Sequence, residues 1–134
     1  MNEPSEAIDL EKAKKDHAVY VNELKKLIPR VVQIPPDEEF PDMVFVEDPT
    51  VVLDGKGFIT NMTAPSRKKE TRLMRPVLEE LGLQVIEADD PEAQIDGGDV
   101  IFTGREFLVG LSRRTNAVSA HAASFSEHCT MRSC

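Results

Sequence analysis

The sequence predicts an α/β fold assembled from repeated units, and three observations predict it. Amphipathic helical runs alternate with short β-branched runs. Glycines and prolines punctuate them where turns and helix ends require them. One stretch of chain also overlays another at a separation near 50 residues.

The first element is a helix from Ile8 to Ile28. Asp9 is placed as its N-cap, and Leu10, Ala13, His17, Val21, Leu24 and Ile28 recur at helical spacing before Pro29 stops it. "RVVQI" (30–34) reads as a short strand closed by Pro35 and Pro36, and "MVFVED" (43–48) as a second. "TVVLDGKGFIT" (50–60) reads as a hairpin turning at Asp54-Gly55-Lys56-Gly57. A second helix is expected from Ser66 to Leu81, with Leu73, Leu78 and Leu81 on one stripe and Gly82 as its C′ residue. Pro76 should kink this helix or mark a restart. "LQVIEA" (83–88) is the next strand.

Laid without a gap, EDPTVVLDGKGFITN falls on DGGDVIFTGREFLVG, Glu47 on Asp96. An acid opens each copy, Val51-Val52-Leu53 lies on Val100-Ile101-Phe102, Gly55 on Gly104, and Phe58-Ile59 on Phe107-Leu108. The preceding strands correspond at a similar separation, so each copy is a helix, a strand and an acid-headed hairpin. Such units bury their apolar faces on neighbours. After Asn116 a further helix, "AVSAHAASFSEH", begins and no third hairpin follows. The expectation is therefore a repeat domain over 1–116 and a divergent helical or irregular tail over 117–134, the whole being part of a larger protein.

Charge narrows the function. A net charge of −8 over 134 residues argues against a nucleic-acid or anionic-membrane surface, either of which needs a basic face. No apolar run approaches the roughly 20 residues that span a bilayer, and the two cysteines, Cys129 and Cys134, fit a reduced cytoplasmic setting. Residues 31–55 and 84–104 carry acids and no lysine or arginine, while Arg67, Lys68, Lys69, Arg72 and Arg75 lie between them. Solvated faces explain most of these charges. A site that collects a cation is the functional reading.

Asp42, Glu47, Asp48 and Asp96 would line one end of the units if these pack about a common axis. Carboxylates suit a planar guanidinium because each accepts two parallel N–H bonds. In a strand, alternation would put Asp42, Val44, Val46 and Asp48 on one face and Glu47 on the other. Gly97-Gly98 beside Asp96 allows either close backbone approach or positive φ. Arg67 and Arg114 hold nearly matching places after the two hairpins and could clamp a carboxylate, surface arginines being the plain alternative. A phosphate loop is disfavoured because G-x-G-x-x-G and a Walker lysine are absent. His121, His128, Cys129 and Cys134 match no zinc spacing, and His17 belongs to a helix stripe. No metal or cofactor is expected.

"DLEKAKKDHAVYV", "FPDMVFVEDPTVV", "TAPSRKKE" and above all "DGGDVIFTGREFLVGLSRRTN" resemble the dimethylarginine dimethylaminohydrolases of the guanidine-modifying (pentein) superfamily. The resemblance runs from about Ile8 to Asn116. It implies a five-bladed α/β propeller, of which this chain would hold about two ββαβ units and the start of a third. It further implies hydrolysis of Nω-methylated arginines to citrulline and a methylamine, which spares nitric oxide synthase from inhibition. In that chemistry a cysteine thiolate attacks the guanidinium carbon and a histidine handles protons.

By the same resemblance, Asp42, Glu47 and Asp48 hold the guanidinium, Arg67 and Arg114 bind the amino-acid end, and Asp96 orients the catalytic histidine. The family's opening strand, catalytic histidine and nucleophilic cysteine fall outside the matched residues, so the chain alone is expected to be inactive. Exposed propeller edges imply self-association. An arginine deiminase or amidinotransferase relative is the alternative within the fold; a non-catalytic binding or regulatory fragment is the alternative outside enzymology.

Overall fold

The computed structural model describes residues 7–88, 90–119 and 130–133. The chain divides into two units, residues 1–35 and 36–134. His121, His128, Cys129, Cys134 and most of the helix expected after Asn116 lie outside the described residues. Among the described residues no helix is long and apolar enough to cross a membrane.

The first unit carries helix α1, Leu10–Leu27. Asp9 caps it as expected, its carboxylate accepting from the Lys12 N–H at 3.0 Å. Glu11 in the first turn and Lys25 and Lys26 in the last agree with the helix dipole. The expected stripe is only partly covered: Val21 is buried, but Leu10 and Ile28 are 65% and 46% exposed. "RVVQI" is not a strand. Its β-branched residues satisfy propensity, but among the described residues no neighbouring strand completes a ladder.

The second unit contains two three-stranded sheets of the same plan. In the first, β1 (Thr50–Leu53) pairs antiparallel with β2 (Lys56–Ile59), and β2 pairs parallel with β3 (Gln84–Glu87) across the helix α2 (Glu70–Glu80). In the second, β4 (Val100–Phe102) pairs antiparallel with β5 (Glu106–Val109), and β5 pairs parallel with β6 (Thr130–Ser133). The irregular ending expected after Asn116 does not extend to β6, which completes the second sheet as β3 completes the first.

The repeat is real, but its register differs by one residue from the gapless overlay. Thr50 pairs with Ile59 and Val100 with Val109, so the hairpins are equivalent at an offset of 50. The reason lies in the turns. Asp54 and Gly55 both have positive φ (47° and 74°), the pattern of a type I′ turn with glycine second. In the second hairpin the Thr103 N–H bonds the Glu106 carbonyl at 3.0 Å, and of the two residues between them only Gly104, at φ 91°, is positive. That is the type II′ pattern, with glycine first. Matching glycine to glycine therefore slips the register by one. The acids that head the two copies are consequently not equivalent, and Asp48 corresponds to Gly98.

Helix α2 begins four residues later than expected and runs through Pro76 without a restart. Its end follows the expectation. Gly82, at φ 76°, donates to the Glu79 carbonyl and Leu83 to that of Leu78, the two bonds of a Schellman cap. Leu78 is buried over β2, where a Cβ on Gly57 would lie 2.8 Å from its side chain. Phe58, Ile95, Phe107 and Val109 form the core between the sheets, flanked by Val51, Leu53, Ile86, Ala88 and Val100.

Candidate active site

The segment ahead of β1 supplies the first wall. "MVFVED" is not a strand but a run of turns, in which Met43, Phe45 and Asp48 N–H groups bond the carbonyls of Phe40, Asp42 and Phe45. The expected alternation of faces is thereby overturned. Prolines at 41 and 49 bracket the run, and the carbonyls of Asp42 and Phe45 face a guanidinium rather than a neighbouring strand.

That guanidinium is Arg67, in the turns between β2 and α2. Its Nη1 bonds Asp48 Oδ2, its Nη2 the Asp42 carbonyl at 3.0 Å, and its Nε and Nη2 the Glu70 carboxylate at 2.8–3.1 Å. The Phe45 ring lies against it, 6.0 Å from centroid to Cζ. Glu70 is 2% exposed. Burial by itself would lower the Arg67 pKa, but the hydrogen bonds and charges of Glu70 and Asp48 outweigh it and raise it above its ordinary value.

The D-G-G-D turn supplies the second wall. Gly97 N–H bonds the Asp48 carbonyl at 2.8 Å. A Cβ on Gly97 would come 2.0 Å from the Glu47 carbonyl oxygen, and one on Gly98 would come 2.4 Å from Asp48 Oδ1. Both glycines therefore serve close approach, and neither has positive φ. The Asp96 side chain accepts from Gly98 N–H at 3.1 Å and pairs with Arg114 Nε at 2.9 Å, while its own N–H bonds Thr115 Oγ1 at 3.0 Å. Thr115 and Ser112 both donate to Asp99, at 2.6 and 2.7 Å. Asn116 bonds Gln94 and Glu92 on the far side. The "S-R-R-T-N" loop is thus fastened at three points, and Arg114 reaches out from it.

Asp48 and Asp96 meet carboxyl to carboxyl. Burial raises the Asp96 pKa, and the hydrogen bond and charge of Asp48 raise it further, to about 6, against the opposing pull of Gly98 N–H and Arg114. Burial would raise Asp48 too, but its hydrogen bonds with Arg67 and Asp96 and the nearby arginine charges leave it below the ordinary carboxylate value. The arrangement is a line of charge running Glu70, Arg67, Asp48, Asp96, Arg114. Asp48 is its ionised centre, and Asp96 is the member of the pair that takes up a proton first as pH falls.

Of the residues singled out in the sequence, Asp48, Arg67, Asp96 and Arg114 come together in this line. Asp42 joins through its backbone carbonyl. Glu47 has an exposed side chain and enters through its carbonyl against Gly97. The two arginines are not alike: the Arg67 side chain is 12% exposed and that of Arg114 is 61% exposed. Glu70 was not anticipated. Its signal was the i, i+3 spacing from Arg67, which here joins a turn to a helix.

The family model for eukaryotic N,N-dimethylarginine dimethylhydrolase matches residues 1–129. The chain belongs to this family. A Bos taurus protein named DDAH2 is 40% identical over 111 residues, covering 82% of this chain and 39% of that protein. The N(G),N(G)-dimethylarginine dimethylaminohydrolase of Pseudomonas aeruginosa is 34% identical over 112 residues, covering 84% of this chain and 44% of that enzyme. A crystal structure of a cysteine-to-serine variant of the Pseudomonas aeruginosa enzyme, complexed with citrulline, superposes at a TM-score of 0.83. It is 30% identical and covers 94% of this chain and 51% of that one. The fold is therefore the α/β propeller type of the dimethylarginine dimethylhydrolase family. This chain spans about two fifths of the length of those two curated relatives.

Proposed function

We propose that the whole protein hydrolyses Nω-methylated arginines to citrulline and a methylamine, and that this chain supplies its substrate-holding acids and arginines. The line from Glu70 to Arg114, centred on an ionised Asp48, carries the proposal. It matches what a planar cation with a carboxylate at its far end requires.

Asp48, with Glu47 and Asp42, holds the substrate guanidinium. Arg114, exposed and, among the described residues, pinned through Nε by Asp96, turns its Nη groups to the substrate carboxylate. Arg67 assists, since among the described residues one Nη1 hydrogen is left for a ligand. Asp96 orients the imidazole that moves protons. The described residues include no cysteine, so the thiolate that attacks the guanidinium carbon is assigned to no residue here. We place the protein in the cytoplasm. Val52, Ile101 and Phe102 on the exposed strand faces support association with further copies or repeats.

The test is citrulline formation from Nω,Nω-dimethylarginine by the purified full-length protein. Formation that falls steeply at low dimethylarginine in Asp48→Asn supports the reading. A folded protein that releases no citrulline contradicts it.

A further inference from the structure

An aspartate already paired with an arginine is a poor receptor for a second cation. Asp48 is in that position, because Arg67 Nη1 is bonded to it. Left alone, the Asp48–Arg67 pair would present no net charge to a substrate guanidinium. Glu70 changes this balance. Its carboxylate, 2% exposed, takes the opposite edge of the same guanidinium through Nε and Nη2. Two acids then share one cation.

We propose that Glu70 is a positioning residue that neutralises Arg67, so that the charge of Asp48 stays available to a cationic substrate and the site prefers a guanidinium over a neutral ureido group. The inference rests on the function proposed above and deepens it. Glu70 need not touch the ligand. Its bidentate hold fixes the plane of Arg67, which aims Nη1 at Asp48 and Nη2 at the Asp42 and Phe45 carbonyls. The same hold sets the combined charge of Glu70, Arg67 and Asp48 at minus one, where loss of Glu70 would leave zero. Because the group is buried, solvent does little to screen that difference.

The ligands that test it share one amino-acid end and differ in charge at the other: dimethylarginine, a cation, and citrulline, which is neutral. The KM for dimethylarginine and the inhibition constant for citrulline are measured on the full-length protein, with folding followed by circular dichroism. Glu70→Gln keeps the shape and removes the charge. It should raise the dimethylarginine KM by roughly ten- to fiftyfold, the effect of one unit charge several ångströms away in a partly buried site, while citrulline changes little. Glu70→Asp keeps the charge and should retain the preference. Arg67→Gln combined with Glu70→Gln removes both partners, restores the charge of minus one and should restore the preference.

Equal losses for both ligands in Glu70→Gln would overturn the inference and leave the function standing, since a purely structural role damages both alike. If Glu70→Gln does not fold, the double variant is read against the parent: a retained preference for the cation supports the inference, a lost one overturns it. A parent protein that turns over no dimethylarginine would overturn the proposed function and the inference with it.

Discussion

The Asp48 and Asp96 carboxyl groups lie side by side over Gly98, and each is held from behind by an arginine, Arg67 on Asp48 and Arg114 on Asp96. The two positions are brought together by glycine. Gly98, which occupies the place of Asp48 in the second repeat, leaves the room that the Asp48 carboxylate fills.

The opposite shifts of the two carboxyls give the chain a pH dependence of known sign. Asp96, raised to about 6, binds its proton more tightly folded than unfolded, so its contribution to stability is lost as pH rises from about 4 through 6. Asp48, lowered, contributes above its unfolded value of 3.8 and loses that contribution as pH falls below it. Carboxyl NMR titration should find Asp96 titrating near 6 and Asp48 below 3.8. The melting temperature of Asp96→Asn relative to the parent should move in the variant's favour between pH 4.5 and 7.

Alanine at the two glycines should separate backbone from side-chain effects. Gly97→Ala drives a methyl into the Glu47 carbonyl, which cannot rotate away, and should cost about 2–3 kcal/mol or more in a denaturation measurement. Gly98→Ala meets the Asp48 side chain, which can turn. It should cost less stability and weaken dimethylarginine binding more.

Thr115 is the keystone of the loop that presents Arg114, donating to Asp99 and accepting from the Asp96 N–H. Thr115→Val keeps the volume and leaves that buried N–H without its partner. A loss of roughly 1–3 kcal/mol is expected on chemical denaturation. Thr115→Ser should recover most of it.

Arg114→Lys keeps a positive charge but loses the planar fork. It should impair substrates that carry the α-carboxylate far more than a decarboxylated analogue, by steady-state comparison of the two. Equal impairment would move Arg114 away from the carboxylate.

The sequence made local chemistry legible and long-range contacts only partly so. Asp9, the Asp54-Gly55 turn and Gly82 were readable because a cap or turn acts within a few residues. The repeat was legible from residue matches alone, and the propeller class came with the family resemblance that "DGGDVIFTGREFLVGLSRRTN" carries. "MVFVED" misled because its alternation mimics a strand, whereas the carbonyls of Phe45 and of Asp42 just before the run turn to Arg67, 22 and 25 residues on. The register slipped because the two hairpins place glycine differently in their turns. β6 was invisible because a short parallel strand is defined by its partner, β5. Glu70 was missed because its neighbour in the chain looked destined for a ligand rather than for it.

If Asp48 receives the substrate cation and Asp96 acts on turnover, separating kcat from KM for dimethylarginine in the full-length protein will divide the two roles. Uncompensated burial of a charge costs about 3–5 kcal/mol, so Asp48→Asn should raise KM by roughly two to four orders of magnitude. Asp96→Asn should lower kcat while KM changes far less. A raised KM with intact kcat in Asp96→Asn, or an unchanged KM in Asp48→Asn, would contradict the account.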